Sequence, residues 1–421
     1  MNAISFNKIL NVVAKVNPFL VRSVSNVPKT VRGNISDQQN ADETLSNRVF
    51  SLSKENQSVM KDKFGRVHDY LRISLTEKCN LRCQYCMPSE GVTLTPKVDL
   101  LTPDEIIMLA RLFVCKLGVT KIRLTGGEPL LQPELNKIIG GLNDLRASGL
   151  QSIGMTSNGI SLKPRLAQLQ QSGLDRLNIS LDTLREEKYS FITRRKGIKM
   201  VWSSIHEAIR LKMFPLKINC VVMRGLNDEE VVDFVELTRY YPVDVRFIEY
   251  MPFSGNKWKY GKLVPMAESL DTIQAHFRNV SRVENHATDT AKSYKVDGFC
   301  GSFGFISSMT NHFCGGCNRL RLTADGHLKV CLFDTNEVSI RDVIRNTQLR
   351  GQISRSKEIE KTISRDLESS VGLKDGLIEK KVEEVVTEAL GKKFFSHGGR
   401  TEEIAQGKLA QGNRSMILIG G

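Results

Sequence analysis

From about residue 70 to residue 250 the chain alternates short apolar runs with longer stretches whose apolar residues recur at helical spacing. The runs are LRISLT (71–76), KIRLT (121–125), SIGMTSN (152–158), RLNISL (176–181), KINCVV (217–222) and VRFIEYM (245–251), and they read as strands. Between them lie segments such as TPDEIIMLARLFVCKLG, in which Thr102 is placed as a cap, Pro103 as the first helical residue and Gly118 as the stop. Strands separated by helices imply parallel βαβ units. Six of them predict an α/β fold, a partial (β/α)6 barrel of the TIM type over residues 66–261. In such folds ligands gather at the carboxyl ends of the strands, where loops aim polar groups into a common mouth. The sequence puts Cys79 after the first strand, Gly126-Gly127-Glu128-Pro129 after the second, Asn158-Gly159 after the third and Asp182 after the fourth.

Residues 262–340 read as a second, shorter unit with strand-like SYKV, GFIS, RLRLT and HLKVCLF, the last two joined at Asp325-Gly326, a hairpin signal. Residues 341–421 form a charged, helical tail that ends RSMILIGG. At the other end, residues 1–36 carry Lys8, Lys15, Arg22, Lys29 and Arg32 without an acid, and Phe6, Ile9, Leu10 and Val13 fall on one helical face. That pattern reads as a mitochondrial presequence, assigned with the start of a linker to residues 1–45, with the linker continuing over 46–65. A disordered basic tail is the alternative. The chain of 421 residues has a formal charge of +14, which admits nucleic acid, a polyanionic small molecule or a targeting segment as its cause. With 40% hydrophobic residues and no apolar run of membrane-spanning length, a globular fold without a transmembrane helix is expected.

The cysteines narrow the chemistry. Six of the nine form two groups of three: Cys79, Cys83 and Cys86 in KCNLRCQYCMP, and Cys314, Cys317 and Cys331 in FCGGCNRLRLTADGHLKVCLF. Three thiolates leave a four-coordinate iron–sulfur or metal site one ligand short, so each group could leave one iron open to a small molecule. A zinc site or buried free thiols are the alternatives, but zinc ribbons favour C-x2-C pairs in fours. Cys115 and Cys220 read as small buried apolar residues, and Cys300 as a rival ligand to the second group. The C-x3-C-x2-C spacing behind a strand resembles the radical S-adenosylmethionine (SAM) superfamily. That resemblance implies the partial barrel, a [4Fe–4S] cluster on the first triad, and SAM on its open iron as the source of a 5′-deoxyadenosyl radical. It also implies SAM contacts at Tyr85, Gly127, Ser180 and Met251. Glycine at 127 would let backbone approach a ligand that a Cβ would block.

Basic residues placed inside otherwise apolar strands point to a polyanion. Arg319 and Arg321 are two apart on one strand and so share a face, as do Lys121 and Arg123 on the second strand, with Arg72 on the first. Arginine suits phosphate because its planar fork donates two hydrogen bonds. The C-x2-C-x13-C group with NRLRLTADG inside it resembles one family closely, the radical SAM GTP 3′,8-cyclases that begin molybdenum-cofactor synthesis. The likeness runs from about Arg66 to Phe333 and resumes at Gly420-Gly421, where the family has a Gly-Gly pair. It implies a second [4Fe–4S] cluster in a C-terminal β-containing extension, with its open iron on the guanine edge. It implies GTP contacts at Arg72, Arg123, Thr156, Lys217, Arg319, Leu320 and Arg321, with Arg246 as an addition. The implied reaction removes the ribose 3′ hydrogen of GTP, joins C3′ to C8 and yields 3′,8-cyclo-7,8-dihydro-GTP. The implied partners are GTP, an electron donor and a cyclic pyranopterin monophosphate synthase that takes the product, with a homodimer as one possible assembly and the mitochondrial matrix as the location. Two other readings compete. One is a peptide-modifying radical SAM maturase with an auxiliary cluster. The other is a metal-stapled nucleic-acid-binding module, which would need aromatics among its basic residues, and NRLRLTADGHLK has none. The stretch 352–371 exceeds the family pattern and carries no assigned role.

Overall fold

Residues 59–347, 369–397 and 413–420 are described by the structure, a computed structural model. The presequence and most of the 352–371 stretch lie outside the described residues. All six expected strands form: β1 Tyr70–Ser74, β2 Lys121–Thr125, β3 Ser152–Ser157, β4 Arg176–Ser180, β5 Leu216–Val222 and β6 Val243–Glu249. They pair in sequence order and in parallel, because each crossover carries an amphipathic helix that must cover the sheet. The first of these helices, α1 (Pro103–Cys115), begins as its sequence predicts. Thr102 Oγ1 accepts from the Glu105 amide at 3.2 Å, and the Glu105 carboxylate accepts from the Thr102 amide at 2.8 Å. Ile106, Leu109 and Phe113 are fully buried beneath it. Cys220 is buried as expected, whereas Cys115 is exposed, because it falls on the outer face of α1.

Residues 262–340 do not build a separate sheet. Their strands β7 (Val280–Arg282), β8 (Lys292–Val296), β9 (Ser302–Ile306), β10 (Arg319–Leu322), β11 (His327–Lys329) and β12 (Val338–Ser339) extend the first one from both edges, in the order β12-β11-β10-β1-β2-β3-β4-β5-β6-β9-β8-β7. β9 joins β6 in parallel and β10 joins β1 in parallel. The six-stranded partial barrel is therefore flanked by two further parallel strands, which protects both of its edges. The hairpin at Asp325-Gly326 forms as expected, with β11 antiparallel to β10.

The linker expected over 46–65 gives way to packed structure before its end. Met60 is 1% exposed, and the Asp62 carboxylate accepts from the Arg66 amide and guanidinium at 3.0 and 2.6 Å. In the tail, the helix Ser369–Gly391 (α2 here) buries Ile378, Val382 and Val386, four residues apart and so on one face. Residues 413–420 return to the barrel. Arg414 bridges Asp325 and Glu337 at 2.8 and 2.7 Å, and the Asn413 amide donates to the Leu332 carbonyl at 3.0 Å.

Candidate active site

Strand alternation decides what faces inward. On β1, Arg72 lies on one face and Ile73 on the other; on β10, Arg319 and Arg321 alternate with Leu320 and Leu322, both fully buried in the opposite layer. The inward faces enclose a cavity of about 640 Å³. Both cysteine triads line it. So do Tyr85, Gly127, Ser180 and Met251 of the expected SAM contacts, and Arg72, Arg123, Thr156, Lys217, Arg246, Arg319 and Arg321 of the expected GTP contacts. Leu320 does not line it; its side chain is on the core face, so any role in ligand contact belongs to its backbone.

Cys79, Cys83 and Cys86 lie in the loop beyond the carboxyl end of β1. The Met87 and Cys86 amides donate to the Cys83 carbonyl at 3.1 and 3.0 Å, and the Leu81 amide donates to Cys79 Sγ at 3.4 Å. Burial pushes the Cys86 thiol up to about 12, with the Cys79 thiol and the Asp182 carboxylate adding to the effect and the Ile417 amide opposing it. Three crowded thiols with raised proton affinities need a cationic group to ionise, which is what iron supplies. Among the described residues no three His, Cys, Asp or Glu side chains converge on a point that would hold one metal ion. A cluster sets each thiolate on a different iron and needs no such convergence. Tyr85 donates to Asp182, whose carboxyl burial raises to about 6. Its ring packs with Val221, Met223 and Tyr250.

The glycine pair after β2 serves packing more directly than ligand approach. A Cβ on Gly127 would stand 2.3 Å from the Lys78 carbonyl oxygen, and the Gly127 amide donates to the Thr76 carbonyl at 2.7 Å. The turn is thus pressed against the cysteine loop itself. Glu128 is buried and accepts from Ser157 Oγ at 2.8 Å and the Asn158 amide at 2.7 Å, which fixes the ends of β2 and β3 to each other.

The second triad sits at the other end of the cavity. Parallel pairing sets Arg319 beside Tyr70, at the amino-terminal end of β1, so Cys314 and Cys317, which precede β10, lie at that end. β11 runs back with Lys329 opposite Arg321, and Cys331 follows it to the same place. The first triad thus lies at the carboxyl ends of the barrel strands and the second at their amino ends, because β10 runs parallel to β1 and β11 returns antiparallel to it. Burial raises Cys314 and Cys331; for Cys317 the same effect is outweighed by Lys393 and Arg319, which hold it below its ordinary value. Cys300 is exposed and does not line the cavity, because the neighbouring Gly301 amide ties that turn to the Thr238 carbonyl at 2.7 Å.

Between the triads runs a band of cations. Arg123 is already held, by Tyr70 Oη at 2.5 Å, Asn178 Oδ1 at 3.0 Å and the Met155 carbonyl at 3.3 Å. Arg319 donates to the Thr288 carbonyl at 2.6 Å and lies 5.7 Å from the Tyr70 ring centroid. One Nη1 on each of Arg319 and Arg321 is buried without a hydrogen-bond partner among the described residues. Burial and the Arg321 guanidinium bring Arg72 down to about 9, and burial with Arg246 brings Lys217 down to about 8. A polyanion between the triads would relieve this repulsion and meet the unpaired donors. Arg246 is paired with Asp244 at 2.9 Å. Tyr70, Asn178 and Asp182 were not among the expected contacts. Tyr70 shares a face with Arg72, and Asn178 with Ser180, so strand alternation could have put them on the inward face, but not beside Arg123.

The 413–420 segment closes one side of this band. Ser415 Oγ donates to the Cys86 carbonyl at 3.1 Å, Ile419 packs against Phe253 and Phe333, and the Gly420 carbonyl accepts from Arg72 at 3.4 Å. Gly421 lies outside the described residues.

Two family models match stretches of the chain. Residues 73–238 match the Radical SAM superfamily and residues 243–367 match Molybdenum Cofactor Synthesis C. The chain is 52% identical to molybdenum cofactor biosynthesis protein 1 of Mus musculus over 86% of its own length and 51% of the relative. It is 56% identical to the mitochondrial GTP 3′,8-cyclase of Arabidopsis thaliana over 72% of its length and 80% of that protein. With the GTP 3′,8-cyclase of Listeria welshimeri it shares 41% identity over 68% of its length and 86% of the relative. The chain thus spans about half the length of the molybdenum cofactor biosynthesis protein 1 of mouse, and most of the length of the plant and bacterial cyclases. Radical SAM membership implies a [4Fe–4S] cluster and SAM. With identity of this order across most of the plant and bacterial proteins, the chain belongs to the radical SAM GTP 3′,8-cyclase family.

Proposed function

We propose that the chain is a GTP 3′,8-cyclase, converting GTP to 3′,8-cyclo-7,8-dihydro-GTP in the first step of molybdenum cofactor synthesis. The observation that carries this reading is the placement of two cysteine triads at opposite ends of one cavity, with half-buried arginines between them. Cys79, Cys83 and Cys86 would hold the cluster that binds SAM, and Cys314, Cys317 and Cys331 a second [4Fe–4S] cluster facing the guanine. When bound, the first cluster and SAM supply a 5′-deoxyadenosyl radical.

The chain's own share is positioning, because reacting atoms must be held in near-contact for a selective step. Arg72, Arg319 and Arg321 with Lys217 offer donors to a triphosphate, and Arg123, pinned by Tyr70 and Asn178, cannot swing out of the cavity. Thr156 on β3 lines the same wall. Tyr85, Gly127, Ser180 and Met251 wall the end where SAM would sit. The Gly420 carbonyl accepts from Arg72 and holds the 413–420 segment against the band of cations. The same reading locates the protein in the mitochondrial matrix, as the basic amphipathic segment 1–36 and the name of the Arabidopsis relative support. It includes an electron donor and a cyclic pyranopterin monophosphate synthase as partners. Among the described residues no helix is long and apolar enough to cross a membrane.

The test is anaerobic reconstitution with iron and sulfide, followed by incubation with GTP, SAM and dithionite. The product is an isomer of GTP, so nucleotides are separated by chromatography before mass analysis. A new GTP isomer formed together with 5′-deoxyadenosine is the expected result. SAM cleavage without any new nucleotide would move the chain to another radical SAM chemistry.

A further inference from the structure

Behind the second triad, away from the arginine band, two buried side chains meet that no cysteine motif announces. Lys393 follows the tail helix and His68 precedes β1, 325 residues away, and they are 2% and 0% exposed. His68 Nδ1 is 3.1 Å from the Met60 carbonyl oxygen, which can only accept, so Nδ1 carries the proton. That leaves Nε2 as an acceptor, and Lys393 Nζ donates to it at 2.7 Å. A further Nζ proton is directed to Cys317 Sγ at 3.6 Å. Arg66 fixes the same corner. Its guanidinium donates to the carbonyls of Cys314, Phe394 and Phe395 at 2.7, 3.0 and 2.8 Å, and its Nε to Asp62 at 2.6 Å.

A buried ammonium ordinarily has a carboxylate beside it, since an unpaired charge in the interior is costly. Among the described residues no carboxylate pairs with Lys393: it meets a neutral imidazole and a sulfur, and the Asp62 carboxylate, 3.9 Å from His68 Nε2, is engaged by Arg66. The geometry fits an anionic partner in the direction of Cys317, which a thiolate-ligated cluster provides. Among the described residues Cys314 and Cys331 receive backbone amides, from His397 and Phe333. Lys393 is therefore the charged donor to this triad from outside the cavity.

We infer that Lys393, oriented by His68, sets the reduction potential of the second cluster by donating a charge-assisted hydrogen bond to the Cys317 sulfur. This rests on the reading that the second triad holds a [4Fe–4S] cluster. Hydrogen bonds to cluster sulfurs and nearby positive charge stabilise the reduced, more negative state and so raise the potential. Lys393 is a positioning residue for the cluster and touches neither SAM nor GTP in this assignment.

The experiment is an EPR-monitored potentiometric titration of the full-length holoenzyme, comparing wild type with Lys393→Met, Lys393→Arg and His68→Leu, with iron content and circular dichroism measured on each. In Lys393→Met one of the two cluster midpoints should move negative by at least the 59 mV that corresponds to a tenfold change in a one-electron equilibrium, while the other stays in place. Lys393→Arg should recover at least half of the shift, and His68→Leu should show a smaller shift of the same sign. Two unmoved midpoints in a Lys393→Met protein that keeps its iron would overturn the inference. If that variant loses iron, His68→Leu decides: a negative shift supports the inference and an unmoved midpoint overturns it. Wild-type protein that binds only one cluster is a different failure, since it removes the second-cluster reading itself.

Discussion

Arg319 and Arg321 each bury one guanidinium nitrogen without a partner among the described residues. A buried unsatisfied donor costs about 1–3 kcal/mol, so an anion that accepts from these nitrogens gains a comparable affinity. We expect Arg321→Ala to weaken GTP binding by roughly ten- to more than a hundredfold, equivalent to about 1.5–3 kcal/mol for a charge-assisted bond, with SAM affinity unchanged. Isothermal titration of the reconstituted protein with each ligand checks this, and equal losses for both ligands would contradict it. Lys217 adds a pH signature. Burial and Arg246 lower its proton affinity to about 8 in the free protein, so it is charged below that pH and neutral above. A bound polyanion favours the charged form and takes up a proton, so GTP affinity should fall as pH rises through 8, by at most about tenfold per pH unit for a single group. Lys217→Arg, which stays charged, should flatten that slope. The inward position of these cations was legible in the sequence because a strand has a period of two. Their partners were not: Tyr70 and Asn178 stand on other strands, and only the register brings them to Arg123.

Elements were read best where a long pattern repeats. All six barrel strands lie within two residues of their expected limits, and α1 begins with Thr102 as its cap and Pro103 as its first residue, as expected. β7 and β12, of three and two residues, are too short to show a period and went unread. The sequence also gave no sign that 262–340 would split between the two sheet edges, since edge pairing is set by contacts far apart in the chain. The 413–420 segment is the element whose role is easiest to test. It is pinned by Arg414 to Asp325 and Glu337, and it ends with Gly420 in the left-handed region at φ 74°. A Cβ there would stand 2.7 Å from Thr125 Oγ1 and 3.0 Å from Ser74 Cβ. Strain of this kind costs about 1–3 kcal/mol, enough to lift the segment from Arg72. Gly420→Ala should therefore lower cyclised product about tenfold or more by that same cost, while iron content and SAM cleavage hold at wild-type values; deletion of Gly420 and Gly421 should do the same. Undiminished product from both variants would show that the segment's contact with Arg72 has no catalytic consequence.

At the scale of the molecule the decisive feature is direction. Eight strands run parallel around the cavity, so their two ends are chemically distinct, and the antiparallel return of β11 carries Cys331 to the end opposite Cys79, Cys83 and Cys86. A substrate held between the ends touches one group with each of its parts, and the two groups need not share a function. The cysteine spacing revealed the two triads, but not their separation, which depends on β10 joining β1 in parallel. Loss of a ligand at one end should consequently leave the other end working. Cys83→Ser removes a half-buried thiol from the SAM-facing triad, and we expect reductive SAM cleavage to vanish while the second triad keeps its iron. In Cys331→Ser the SAM-facing triad is untouched, so 5′-deoxyadenosine should still form, uncoupled from cyclisation, with GTP binding impaired. Parallel assays of iron, 5′-deoxyadenosine and GTP affinity separate the cases. If the two variants lose the same single function, the ends are not independent, and the cavity acts as one site in which neither triad has a duty of its own.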